Sequence, residues 1–351
     1  MSKSKGNIVS FRRLVEEHGA DLARINIAAS SEAMDDADWR NETIHTYLKL
    51  FEFIHRNIIS LPSLSKLEIT SETGQRPELL LESRLNNCIR LATENFEQLK
   101  LRTACHYALF EPTEALKKYL GVRGQQADSK LIRQALESIV LMVAPYSPHY
   151  AEEMWQLLGK NGGAGKNGGG SGGKSGGDNG FASIAPFPKP DASKINQSLE
   201  ESEELVGQVL SDLQNILLLS KIEKPAKVVL YAAAQWKQKL FKLALADSNA
   251  KSMFDFDAVL KLAMQEPTIK AHAKEVPLVL KSMSKAVNYY KGKPAPQLDE
   301  FNVLESYAKG EFKAKYAYPF QVIREEEALA SSDPKGKAGK ALPLKLAIYV
   351  E

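Results

Sequence analysis

The sequence predicts a mainly α protein in which an antiparallel helix bundle is followed by a small α/β domain. Three observations carry this. The chain has 351 residues, 44% hydrophobic and 25% charged, which is material for about two cored domains and excludes global disorder. Between Glu42 and Leu158 apolar residues recur with helical spacing. After residue 225 the texture changes, and short runs rich in β-branched and aromatic residues alternate with helical stretches.

In chain order, residues 1–41 read as a polar basic segment, a helix, and then a helix or loop ending at Asp35-Asp36-Ala37-Asp38-Trp39-Arg40. Residues 42–158 are the bundle. Leu85, Cys88, Ile89, Ala92, Phe96 and Leu99 form one helix stripe, and Leu131, Ile132, Ala135, Leu136, Ile139 and Val140 form another. Pro145 ends that second helix near Val143 or Ala144. Ser147-Pro148 starts the next, with Ser as N-cap and Pro at the first helical position. Its face is Tyr150, Ala151, Met154, Trp155 and Leu158.

Residues 159–180 are a Gly-rich insert, and eleven of the 22 glycines fall between 161 and 180. Such a chain behaves as a flexible linker. Lengthening a loop from about 6 to about 25 residues costs only roughly 1.2 kcal/mol. Residues 181–224 read as an extended, proline-punctuated segment and a long helix completing the bundle, with Leu199, Val206, Val209, Leu210, Leu213, Ile216 and Leu217 on one side. Residues 225–351 are the α/β domain, with strands expected at Lys227–Ala234, Pro319–Arg324 and Leu344–Val350.

Several classes are excluded. No apolar run is long enough for a membrane helix, and the N-terminus has no apolar core of a signal peptide. The two cysteines, Cys88 and Cys105, make neither a disulfide scaffold nor a zinc site; both read as buried small hydrophobes. No metal site is expected. Gly168–Ser175 satisfies the P-loop pattern, but no strand precedes it and no helix follows, so it is a composition accident.

The sharpest signal is Met1-Ser2-Lys3-Ser4-Lys5-Gly6-Asn7, followed by Gly19-Ala20-Asp21-Leu22-Ala23-Arg24. The first resembles the K-M-S-K-S loop of class I aminoacyl-tRNA synthetases; G-A-D-x-x-R downstream of it resembles the class Ia subgroup. Ala144–Trp155 resembles A-P-x-x-P-H-x-A-E-E-x-W of the class Ia anticodon-binding bundle. The D-x-D-W-R stretch ending at Arg40, Val229-Leu230-Tyr231 with Trp236-Lys237, and the closing Asp333–Ala338 and Leu342–Glu351 segments resemble archaeal and eukaryotic-type leucyl-tRNA synthetases.

The resemblance implies a class Ia anticodon-binding-type bundle with a C-terminal tRNA-binding domain. Lys3 then matches the catalytic lysine that steadies the leaving pyrophosphate, with Met1, Ser2 and Ser4 beside it at the ATP. Clamping charge that grows in the transition state is what such a loop does. ATP with Mg2+ is implied as substrate of the complete enzyme, with no tightly held cofactor in this chain. Arg40, Trp236, Lys237, Lys335, Lys337, Lys340 and Lys345 are the expected tRNA contacts. The net charge of +3 lies within residues 181–351, and lysines on phosphate give salt-sensitive binding.

The family's H-x-G-H signature is not among the six histidines, His18, His45, His55, His106, His149 and His272. The expectation is therefore the tRNA-binding portion of a leucine–tRNA ligase, inactive alone. Its partners are tRNA-Leu and a catalytic half supplied as a separate subunit or upstream continuation, with no membrane or DNA partner, in the cytoplasm. A fragment with an upstream continuation is favoured over a natural subunit. The alternatives are a non-catalytic tRNA-binding module or part of an isoleucyl/valyl-type synthetase.

Overall fold

Periodic apolar stripes in the first half do form helices, and each buries the face its spacing dictates. The computed structural model describes residues 10–32, 41–64, 75–160, 180–251, 254–290, 296, 298–330, 333 and 335–351. The chain divides into two compact units, Met1–Asn196 and Gln197–Glu351.

The first unit contains α1 (Phe11–His18), α2 (Ala20–Ala28), α3 (Asn41–Leu64), α4 (Arg76–Glu97), α5 (Leu101–Cys105), α6 (Glu111–Arg123), α7 (Ser129–Val143) and α8 (Pro148–Leu157). A π-turn, His106–Phe110, joins α5 to α6. Pro112 explains it: its ring cannot donate the next helical hydrogen bond, and a wider turn absorbs the gap. The α7 stripe is wholly interior, with Ile132, Ala135, Leu136 and Ile139 at 0% exposure, and Asp128 caps it by accepting from Lys130 N and Leu131 N. Helix α7 ends at Val143, where Pro145 demands it. Leu99 departs from its expected stripe. Helix α4 stops at Glu97, Leu99 takes φ +56°, and the side chain is 79% exposed.

After the insert, residues 181–196 lie along the bundle as expected. Glu152 accepts from Ala182 N and Ser183 N, Phe187 packs edge-on to Phe96, Asn86 accepts from Asp191 N, and Ser83 accepts from Asn196 N.

The second unit holds α9 (Gln197–Ser220), β1 (Val228–Ala232), α10 (Gln235–Lys251), α11 (Phe256–Ala263), α12 (Pro267–Lys270), α13 (Val276–Tyr290), α14 (Glu300–Tyr307), α15 (Lys313–Lys315), β2 (Phe320–Arg324), α16 (Glu325–Ala330) and β3 (Ala347–Val350). Helix α9, grouped with the bundle by the sequence analysis, has its core here. Leu205, Val206, Val209 and Leu213 share a cluster with Val228, Leu230, Leu304 and Ile348. An apolar helix face shows that a partner exists but not which one, and here the partner includes the sheet.

All three expected strands form one sheet in the order β2-β1-β3. Strand β1 runs parallel to β2, with Leu230 opposite Val322, and antiparallel to β3, with Leu230 opposite Ile348. Strand β1 is buried along its whole length, and its side chains alternate between two cores. Val228 and Leu230 face the α9 cluster; Val229 and Tyr231 join Ala328, Ala338 and Ala341. A third core packs Trp236, Leu240, Phe241 and Ala244 of α10 against Val279, Leu280 and Met283 of α13.

Candidate nucleic-acid interface

The Gly19–Arg24 motif meets the start of α8 through Asp21. Gly19 forms the corner between α1 and α2 at φ +84°, a conformation that favours glycine. The corner places Asp21 in the first turn of α2 and against the start of α8. There Asp21 Oδ2 accepts from Tyr150 N at 2.7 Å, and Asp21 Oδ1 lies 2.9 Å from His149 Nδ1. The Asp21 side chain is 13% exposed. Ser147, expected to cap α8 with its hydroxyl, makes no side-chain cap bond. Its Oγ donates to the Asp21 carbonyl instead, and the Asp21 carboxylate takes over the capping. Tyr150 is fixed further by stacking on Phe51 at 4.0 Å and donating to the Phe51 carbonyl; burial pushes its hydroxyl pKa up.

Beside this junction runs a groove of about 590 Å³ with His18, Leu48, Phe51, His55, His149 and Met154 among its walls. Its lining combines apolar side chains with imidazoles and carboxylates. The signature-loop residues Met1, Ser2, Lys3 and Ser4 lie outside the described residues, as does Arg40. The Gly168–Ser175 tract does so too.

In the second unit the six remaining expected contacts separate into two kinds. Lys335, Lys340 and Lys345 are exposed and Lys337 is half-buried. None of these four forms an ion pair with a described carboxylate. Lys335 lies over the Tyr349 ring at 5.2 Å. Asp333 shapes the loop by accepting from Lys335 N at 3.3 Å and Ala338 N at 2.5 Å, and Gly336 turns it at φ +58°.

Trp236 and Lys237 are of the other kind. Trp236 is 6% exposed and stacks on His272 at 4.6 Å with the ring planes nearly parallel. Lys237 is fully buried. Its Nζ donates to Glu325 Oε1 at 2.7 Å, Gly339 O at 2.8 Å and Ala341 O at 2.9 Å, which uses all three donors of an ammonium. The expectation that these two touch RNA is corrected by their burial: neither presents a free face to a phosphate or base. Glu325 also accepts from Ala234 N and Glu326 from Gln235 N, so two carboxylates meet the positive end of α10.

The sequence missed the roles of Asp21, Glu325 and Asp333. Asp21 and Asp333 lay inside quoted motifs, but nothing local told which amide each accepts. Cys88 and Cys105 are buried as expected, and burial pushes the Cys105 thiol up to about 12. Among the described residues no cluster of side chains could hold a metal.

Comparison with known proteins shows what the chain is similar to. Residues 78–230 match the anticodon-binding domain of tRNA ligase. The leucine–tRNA ligase of Methanothrix thermoacetophila is 30% identical over 354 residues, covering 100% of this chain and 34% of the relative. The chain is similar to a C-terminal part of leucine–tRNA ligase. The leucine–tRNA ligase of Pyrococcus abyssi agrees, at 28% identity over 100% of this chain and 33% of its own. The chain thus spans about a third of the length of these leucine–tRNA ligases. A solved ternary complex, Agrobacterium radiobacter K84 agnB2 LeuRS-tRNA-LeuAMS, has a TM-score of 0.44 at 18% identity, over 72% of this chain and 28% of that one.

Proposed function

We propose that this chain is the tRNA-binding C-terminal portion of a leucine–tRNA ligase, which joins leucine to tRNA-Leu at the expense of ATP. The observation that carries the reading is the similarity of all 351 residues to about a third of the length of leucine–tRNA ligases. The structure supports it with a helix bundle and with four lysines that, among the described residues, form no ion pair with a carboxylate. In the complete enzyme Lys3 stabilises the charge developing on pyrophosphate, with Met1, Ser2 and Ser4 around the ATP phosphates. Mg2+ accompanies ATP as part of that substrate. The bundle and the lysine loop bind tRNA, and the protein works in the cytoplasm; no described helix is long and apolar enough to cross a membrane.

The H-x-G-H signature is not in these residues, so the chain by itself is expected to be inactive. Leucine-dependent pyrophosphate exchange by the purified chain tests this: no exchange is expected, and exchange without added protein would refute it. The same absence favours, as a second reading, a tRNA-binding module with no catalytic role. Lys3→Ala that leaves every cellular function intact would select that reading.

A further inference from the structure

We propose that buried Lys237 is a positioning residue that holds the lysine loop, residues 335–345, in the shape that engages RNA phosphates. The proposal rests on the tRNA-binding reading of that loop. An ammonium removed from water is costly unless it is paired and every donor is used, and an apolar side chain would fill the same core space. What the ammonium adds is specification. It joins three segments distant in sequence: the first turn of α10, Glu325 at the β2–α16 corner, and the carbonyls of Gly339 and Ala341. Those carbonyls lie on the inner side of the loop.

The rest of the loop is pinned around this point. The methyl groups of Ala338 and Ala341 are at 0% exposure. Lys340 N donates to Lys337 O and Ala341 N to Ala338 O, closing a tight turn. Asp333 holds the amides on the far side. With its backbone fastened from within, the loop displays Lys335 and Lys340 to solvent without paying to order them when RNA arrives. Trp236, one residue earlier, anchors the same turn of α10 in the helical core.

The test is tRNA-Leu binding by the full chain across a salt series. Lys237→Met with Glu325→Met removes the ion pair without leaving a buried charge, an exchange cores tolerate. With the fold retained by circular dichroism, affinity is expected to fall roughly tenfold. The slope of log K against log salt should shrink by about one to two, since each lost phosphate contact removes about 0.9. A purely structural role would lower the melting temperature and leave that slope alone. Lys335→Ala with Lys340→Ala is the control; if it leaves slope and affinity unchanged, the tRNA-binding reading of the loop fails. If the control weakens binding while the Met pair matches wild type in both, the proposal is overturned. Should the Met pair not fold, hydrogen exchange on the wild-type chain decides. The Ala341 amide protected as strongly as β1 before RNA is added supports the proposal, and exchange at the unstructured rate overturns it.

Discussion

Asp21→Ala is expected to destabilise the first unit by about 2–4 kcal/mol. The figure is built from what the carboxylate does. It accepts the Tyr150 amide at 2.7 Å, and a hydrogen bond to a charged group contributes about 1.5–3 kcal/mol. It is also a negative charge at a helix N-terminus, which adds about 0.3–1 kcal/mol. The His149 and Arg24 contacts add little, because those side chains are 78% and 44% exposed. Asp21→Asn keeps an acceptor and loses the charge, and should cost about 1 kcal/mol. Calorimetry on the full chain reads this as a drop of roughly 5–10 °C in the first unit's transition for Ala. Urea unfolding followed by Trp155, on α8, reads it as a lower midpoint. Ser147→Ala, which loses only a 3.3 Å bond to the Asp21 carbonyl, should cost less than Asp21→Ala. The reasoning is refuted if Asp21→Ala falls within about 0.5 kcal/mol of wild type, the range of featureless surface changes, or if Ser147→Ala costs more.

Arg123→Ala strands Glu78, whose side chain is 5% exposed and bonded by Arg123 and Tyr119; a loss of about 3–5 kcal/mol is expected in urea unfolding. Burial alone would raise the Glu78 pKa, but the bonds from Arg123 and Tyr119 bring it below its ordinary value. A depressed folded pKa means this stabilisation is complete above the unfolded value of about 4.3 and disappears as pH falls through the folded one; acid unfolding of Arg123→Ala should begin at higher pH than that of wild type. Deleting residues 161–179 should change stability by no more than about 1.2 kcal/mol in the same assay, the closure entropy of the longer loop. Lys3→Ala should slow pyrophosphate exchange of the complete enzyme by about 10²–10³ while leaving tRNA binding by this chain unchanged.

Much of the fold was legible because burial writes itself into spacing. The α7 stripe and the Val-Val-Leu-Tyr run of β1 have no half-exposed solution, so their patterns admit one reading. Leu99 was misplaced because a stripe continues on paper past the end of its helix. Helix α9 was recognised as amphipathic and assigned to the wrong neighbour, since one face does not name its partner. The site was less legible. Lys237 and Lys335 are the same residue type in quoted motifs, and only contacts across the fold separate an internal anchor from an exposed cation. Glu325 lies 88 positions from Lys237, and Asp21 lies 129 from Tyr150, so no local spacing announces either pair.

The most direct test of the central claim is the affinity of this chain for tRNA-Leu against a tRNA for another amino acid, measured by anisotropy across a salt series. Tighter binding of tRNA-Leu, with a log–log salt slope that falls when Lys335, Lys337, Lys340 and Lys345 are replaced, is the predicted result. Equal, salt-insensitive or undetectable binding of both would contradict it.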